Sequence, residues 1–414
     1  MKKIAFHWQV LIGLITGILF GVFLKEYVPY ISWMGVLFLR GLRMIIIPLV
    51  LTSIISGIAN IGNARNFGRL GLKTMFYYTT TSLLAILTGL FLVNQFKPGV
   101  NADLGLIKKV DGLDLMQDSF GGTLIKIIPT NIFEAFSNGD MLPIIFFALL
   151  FGFFITQTSK KSSVFMTDLF NSFFEVMMKI TMFVIKFTPI GILGIVSKAI
   201  SEAPSITEFA GRMGIYMLTV LVGLFIHAMI TLPVLVKAFG RVNPFWHLKN
   251  MLTPLITAFS TASSSATLPL TMNAVEFKSG VSNKITSFTL PLGATVNMDG
   301  TALYECVAAL FIAQAYGVEL AIAQQAIVVF TALLASIGAA GIPMAGLVMI
   351  SIILSAVGLP LEGVGLILAV DPLLDMFRTT VNVYSDSCGA VIIAKSEGEI
   401  LNDKTNYITQ DIHI

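Results

Sequence analysis

Long apolar runs, separated by short polar or charged stretches, repeat along the chain from end to end. An α-helix needs about 20 predominantly apolar residues to cross a bilayer. The first run covers about 9–28 and turns at Lys25, Glu26 and Pro29. The second, about 33–61, carries Arg40, Arg43 and Pro48, and a loop with Arg65, Arg69 and Lys73 follows it. The third covers about 70–96, and residues 97–120 are then polar. A broken segment, about 121–158, is interrupted by Pro129 and by Ser137-Asn138-Gly139-Asp140. Two further segments cover about 164–200 and 207–237.

The last third has a different pattern. Residues 250–275 are too polar for a plain span, with Ser and Thr crowding 260–267 and prolines at 254 and 269. An apolar stretch folded at such a centre predicts a re-entrant hairpin, which survives at membrane depth only under a cover of protein or beside a water-filled cavity. A second hairpin is predicted over about 321–357, with its tip at Ser336-Ile337-Gly338-Ala339-Ala340-Gly341-Ile342-Pro343. Between them a segment of about 284–317 contains Asn297-Met298-Asp299-Gly300-Thr301, and a final segment covers about 362–395. Asn, Asp and Thr beside a helix-breaking Gly are costly in lipid and predict a bound cation or polar solute. Two Gly/Pro-interrupted segments in corresponding positions point to an inverted-repeat transporter site.

The final segment carries a polar stripe. Asp371, Asp375, Arg378, Asn382 and Asp386 are spaced 4, 3, 4 and 4, and at about 100° per residue they fall within roughly 80° of arc. Each Asp or Arg at the bilayer centre costs about 3 kcal/mol, so the stripe faces inward. A salt-bridge ladder that pins the helix is one reading. One Arg cannot neutralise three carboxylates with Asp299 added, and the surplus asks for cations. Asp299 and Asp386 among amide, hydroxyl and carbonyl oxygens suit a hard cation, not a transition metal. Arg378 is a natural fork for a carboxylate.

Composition agrees with a membrane protein. The 414 residues are 56% hydrophobic and 12% charged, against about 25% charged in soluble domains. A net charge of +3, with no basic run or face, excludes a nucleic-acid footprint. Cys306 and Cys388 read as packing residues. His7, His227, His247 and His413 share no metal-ligand spacing, and no organic cofactor is expected. The apolar start lacks a small-residue cleavage site and reads as a first span, not a signal peptide. Lys2-Lys3, the 65–73 loop, Lys160-Lys161, the 237–249 loop and Lys278 fall on one side if the broken segment crosses once, which puts the N-terminus in the cytoplasm.

These motifs together resemble the dicarboxylate/amino acid:cation symporter family, the glutamate transporter homologues of prokaryotes and excitatory amino acid transporters of animals. The resemblance rests on Asn297–Thr301, Ser263-Ser264-Ser265, Gly338–Pro343 and Asp375–Asn382. It implies an all-α membrane protein with eight transmembrane helices, two re-entrant hairpins and inverted repeats. It also implies a homotrimer in the plasma membrane, both termini cytoplasmic, working as an elevator. The implied division is scaffold segments one and two (1–66), transport-core segment three (67–97), an extracellular loop (98–120) and scaffold segments four and five (121–200). Then come core segment six (201–243), hairpin one (244–282), segment seven (283–318), hairpin two (319–359), segment eight (360–396) and a cytoplasmic tail (397–414).

The resemblance also implies roles. Arg378 would hold the substrate side-chain carboxylate and Asp375 its amino group, with Thr379, Asn382, Thr301, Ser264, Ile342 and Gly346 completing the site. Gly293, Asn297, Asn382 and Asp386 match one sodium site. Tyr78, Thr81, Ser82, Asn297 and Asp299 match a second. Thr295 with backbone oxygens of Ser336, Ile337 and Ala339 matches a third. The sequence departs from the family where members carry a second arginine: here stand Ala262 and Met376. Glu305 occupies a position linked to proton coupling, or else it hydrogen-bonds a neighbour while staying protonated. The expected function is uptake of L-aspartate and/or L-glutamate driven by sodium, protons or both. The alternative cargo is a C4-dicarboxylate, cystine or a neutral amino acid. An intramembrane hydrolase is disfavoured, because the serine run lacks a Gly-x-Ser-Gly context and Asp299 lacks a Gly-x-Gly-Asp one.

Overall fold

The computed structural model describes residues 6–63, 68–100, 128–202, 206–338, 345–368 and 370–402. Most of the 98–120 loop, the hairpin-two tip with Ala339 and Ile342, and the tail beyond 402 lie outside the described residues. All regular structure among those described is helical.

The first helices are α1 (Phe6–Phe23), α2 (Val28–Asn63) and α3 (Arg69–Phe96). The interruption predicted at 137–140 is real. A short α4 (Ile132–Asn138) stops at Gly139, whose φ of 77° is left-handed, and α5 (Met141–Ile155) follows. The single segment expected over 164–200 is instead two helices, α6 (Lys160–Ile185) and α7 (Thr188–Glu202), bent by 52°. Pro189 accounts for the bend: it lacks an N–H and its ring collides with the carbonyl four residues back. Helix α8 (Ile206–Ile226) runs on through a π turn (His227–Thr231), Leu232–Leu235 and a second π turn (Val236–Gly240).

Helix α9 (Pro244–Thr261) starts with Pro244 at its first position and Asn243 capping the Phe245 and Trp246 N–H groups. The chain reverses at Ala262, with φ 47°, and Ser263 caps α10 (Ser264–Asn273), which packs back on α9. Then follow α11 (Asn283–Val296), α12 (Asp299–Ala315), α13 (Ile322–Gly338), α14 (Ala345–Ala356), a short α15 (Val364–Ile367) and α16 (Asp371–Ser396). Among the described residues, four helices are long and apolar enough to cross a membrane, or five if the bent α6–α7 pair is one span.

Packing sorts the helices into two groups. Helix α2 lies against α5, α6 and α7, and α1 against α7. Helices α3, α8, α11 and α12 surround α16, with α9 and α10 on its other flank and α13 and α14 against α12. The α12 helix is wholly buried from Asp299 to Ala313, so its polar residues have only protein for neighbours.

The end of α16 ties the second group together. Glu397 accepts from Arg69 Nη2 at 2.8 Å and Lys73 Nζ at 2.6 Å. Glu399 accepts from the backbone N–H and hydroxyl of Ser282, and Asn402 N–H donates to the Ser279 carbonyl at 3.2 Å. The Arg69 and Lys73 bonds hold the Glu397 carboxyl down to about 2, from an ordinary value near 4.5. A depressed folded-state pKa adds stability above the unfolded value, and that stability is lost as pH falls through the folded one. Thermal stability in detergent is therefore expected to fall between about pH 4.5 and 2. Glu397→Gln should lack that component, a small one, because exposed pairs contribute less than about 1 kcal/mol. An unchanged acid limb in Glu397→Gln would count against this contact.

Candidate functional site

Two polar clusters meet where α11 gives way to α12. The break lies at Asn297 (φ −98°, ψ 88°) and Met298 (φ −118°, ψ 60°), both outside the helical region. Gly300 is not the breaker the sequence suggested; it sits inside the first turn of α12. It is small because a Cβ there would stand 2.6 Å from the Arg378 carbonyl oxygen. Its N–H instead donates to Asn382 Oδ1 at 2.8 Å, and Asn382 Nδ2 donates to Thr301 Oγ1 at 3.1 Å. Helices α12 and α16 are thus stitched at their closest approach.

The first cluster is centred on Asp299. Ser82 Oγ donates to its Oδ1 at 2.7 Å, and Ser385 Oγ donates to its Oδ2 at 2.6 Å. His227 Nε2 lies 3.0 Å from Oδ2, with both side chains fully buried. Asn297 Nδ2 donates to Ser385 Oγ at 3.0 Å and Asp386 Oδ1 at 2.9 Å, and Thr81 Oγ1 lies 3.3 Å from Asn297 Oδ1. Tyr78 Oη donates to the Thr289 carbonyl at 2.7 Å. Gly293 lies between Tyr78 and Asp386: a Cβ there would stand 2.5 Å from Asp386 Oδ1 and 2.7 Å from Tyr78 Oη. Among the described residues no Lys or Arg pairs with Asp299 or Asp386. Two carboxylates among hydroxyl, amide and carbonyl oxygens form a negative all-oxygen setting, which suits a hard cation.

The second cluster is centred on Arg378, which is fully buried. Its Nη2 pairs with Asp375 Oδ1 at 2.8 Å and Asp371 Oδ1 at 3.0 Å. Its Cζ stands 3.7 Å over the Tyr304 ring, and Tyr304 Oη donates to Asp371 Oδ1 at 2.6 Å. Nε and Nη1 have no hydrogen-bond acceptor among the described residues, and the Gly346 backbone of α14 passes beside Nη1. A buried guanidinium with donors to spare is built to receive an anion. Glu305, one turn beyond Thr301, is fully buried, and neither carboxyl oxygen has a hydrogen-bond partner among the described residues.

The stripe of α16 is therefore split between the clusters: Asp371, Asp375 and Arg378 serve one, Asp386 the other, and Asn382 joins them. Thr379, next to Arg378 on α16, and Ser264, at the start of α10, are both buried. Thr295 is set apart: it is exposed, and its hydroxyl donates to its own helix at Leu292 O, 3.0 Å. Ser336 likewise donates within its helix, to Leu333 O at 2.8 Å. Ile337 belongs to α13, while Ala339 and Ile342 lie outside the described residues. The site reading from sequence omitted His227, Ser385, Tyr304 and Asp371. Asp371 was visible in the stripe and His227 as a histidine deep in a span. Ser385 and Tyr304 gave no signal beyond adjacency to Asp386 and Glu305.

An apolar chain folded around an interrupted helix, with its charged side chains turned inward on one another, is the build of a secondary transporter. The match to known families agrees. Residues 6–396 match the sodium:dicarboxylate symporter family, and the chain belongs to it; the protein is a symporter and not an enzyme. It is 36% identical over 416 residues to a proton/sodium-glutamate symport protein of Bacillus caldotenax, covering 98% of this chain and 97% of that one. It is 38% identical to excitatory amino acid transporter 3 of Mus musculus, covering 94% of this chain and 85% of that one. An excitatory amino acid transporter of Caenorhabditis elegans is also 38% identical, over 93% and 85%.

Proposed function

We propose that the protein takes up L-aspartate and/or L-glutamate, coupled to sodium, protons or both. The observation that carries this reading is Arg378: a fully buried guanidinium whose Nε and Nη1 have no acceptor among the described residues, next to Asp375. A neutral substrate would leave those donors unpaired, and a plain dicarboxylate would leave Asp375 without an ammonium group. The printed names of the relatives, glutamate symporters and excitatory amino acid transporters, support the same cargo.

In this reading Arg378 receives the side-chain carboxylate and Asp375 the amino group, with Thr301, Thr379, Asn382, Ser264, Ile342 and Gly346 around them. One sodium site takes Gly293, Asn297, Asn382 and Asp386, and a second takes Tyr78, Thr81, Ser82, Asn297 and Asp299. The clustering around Asp299 and Asp386 supports both. The third, Thr295 with backbone of Ser336, Ile337 and Ala339, has only its place in the sequence behind it, since the Thr295 hydroxyl is turned to Leu292. Glu305 is the proton carrier of this scheme. The two packed groups act as scaffold and moving core of an elevator, with re-entrant hairpins at α9–α10 and α13–α14. Eight spans, three copies per assembly, a plasma-membrane location and cytoplasmic termini complete the proposal.

Uptake of radiolabelled aspartate into proteoliposomes tests it. Unlabelled aspartate and glutamate should compete, and C4-dicarboxylates, cystine and neutral amino acids should compete poorly. Replacing sodium with choline at fixed pH and membrane potential should remove the sodium-driven part of uptake; unchanged uptake would sink the sodium sites. Glu305→Gln should flatten the pH dependence of transport, and an intact profile would remove Glu305 from the proton path.

A further inference from the structure

Among the buried polar contacts that the scheme above does not use, one reaches a proposed cation ligand directly from a histidine. His227 is fully buried, and its Nε2 lies 3.0 Å from Asp299 Oδ2. A carboxylate only accepts, so Nε2 carries the hydrogen. The other ring nitrogen, Nδ1, has no partner among the described residues. Among the described residues, Asp299 is therefore the one polar group this imidazole is aimed at.

The backbone is shaped to make that contact. His227 opens the first of two π turns, His227–Thr231, in the helix that continues α8. Single-turn π bulges are rare and occur often at functional sites. This one sets His227 on α8 toward the break between α11 and α12.

We infer that His227 is a positioning residue for the coupling-cation site, acting through Asp299. A carboxylate offers about four lone-pair directions. Ser385 Oγ and His227 Nε2 occupy Oδ2, and Ser82 Oγ occupies one direction on Oδ1. The direction left open is on Oδ1, the oxygen that faces α3 with Thr81 and Ser82. His227 thus holds the carboxylate in one orientation and reserves Oδ1 for the cation. Without it Oδ2 becomes available, the carboxylate gains a second orientation, and the oxygen cage loosens. This inference rests on the placement of a cation site at Asp299.

The test is sodium binding followed without transport, as the sodium-dependent rise in melting temperature of the purified full-length protein in detergent. Sodium activation of aspartate uptake is measured beside it. Loss of a group that orients a metal ligand typically weakens the metal 10–100-fold. His227→Leu, similar in bulk and without a donor, should raise the half-activating sodium concentration about tenfold. The aspartate half-saturation at saturating sodium should move much less. His227→Gln places an amide N–H near the position of Nε2 and should recover most of the shift. His227→Asn is polar but too short to reach Oδ2, so it should behave like His227→Leu and decide the matter if His227→Leu does not fold. Asp299→Asn separates the two levels. If it leaves sodium dependence unchanged, the cation site itself is misplaced. If it shifts sodium dependence while His227→Leu and His227→Asn do not, the site stands and the positioning role of His227 is overturned. Equal shifts in His227→Gln and His227→Leu would also overturn it, because a donor would then be irrelevant.

Discussion

Arg378→Ala is expected to reduce uptake of acidic amino acids by two orders of magnitude or more. The guanidinium is the cation that faces Asp371 and Asp375 within hydrogen-bond distance, and all three are buried. Removing one partner of a buried ion pair costs about 3–5 kcal/mol, because the remaining charge is left uncompensated. At about 1.4 kcal/mol per factor of ten, a penalty of that size on the binding-competent state accounts for about two to four decades. The substrate carboxylate would also lose Nε and Nη1 as donors. Arg378→Lys separates charge from shape. Lysine keeps one positive charge but has neither the planar group over Tyr304 nor a fixed fork. It should fall between wild type and alanine, with the loss mainly in substrate affinity. Uptake in proteoliposomes, normalised to reconstituted protein, is the measurement. Arg378→Ala uptake within tenfold of wild type would show that the anion binds elsewhere.

The second large effect is expected at Gly300. A Cβ there would stand 2.6 Å from the Arg378 carbonyl oxygen and 3.0 Å from its Cα. Both are backbone atoms, so no side chain can swing aside. Helices α12 and α16 would have to separate, stretching the Gly300 N–H to Asn382 contact and the Asn382 to Thr301 contact with it. Overpacking of this kind costs about 1–3 kcal/mol in stability. The loss of transport should exceed what that figure suggests, because Asn382 joins the two clusters. Gly300→Ala is expected to melt several degrees lower and to transport aspartate at least tenfold more slowly. Gly211→Ala is the control: beyond its chain neighbours and its own helix backbone, no heavy atom of the described residues lies within 4 Å of an added Cβ, so neither quantity should change appreciably. A Gly300→Ala protein with normal melting and normal uptake would mean that the two helices are not held at this distance during transport.

Gly300 also illustrates what the sequence could reveal. A glycine among polar residues in an apolar segment reads as a helix breaker. The helix does break, but three residues earlier, at Asn297, whose N–H still closes α11 on the Gly293 carbonyl while its side chain bonds Ser385 and Asp386. The stripe on α16 was legible because charges in an apolar chain have few places to go and helical periodicity fixes their face. The division of that stripe between two clusters was not, since it depends on which helices pack beside it. His227 shows the same limit: its burial was evident from the flanking residues, but its partner lies 72 positions away. The bend between α6 and α7 was within reach, because Pro189 marks it. The apolar run on both sides concealed it.

The two packed groups are joined by the chain at three places, and two of those joins are short. From Asn63 at the end of α2 to Arg69 at the start of α3 there are six Cα–Cα steps, which reach at most about 20 Å. From Glu202 at the end of α7 to Ile206 at the start of α8 there are four steps, reaching about 14 Å. Covalent tethers of this length cap how far the ends they connect can separate. A long sliding motion between the groups must therefore swing about these two points, or unwind helix there to lengthen the leash.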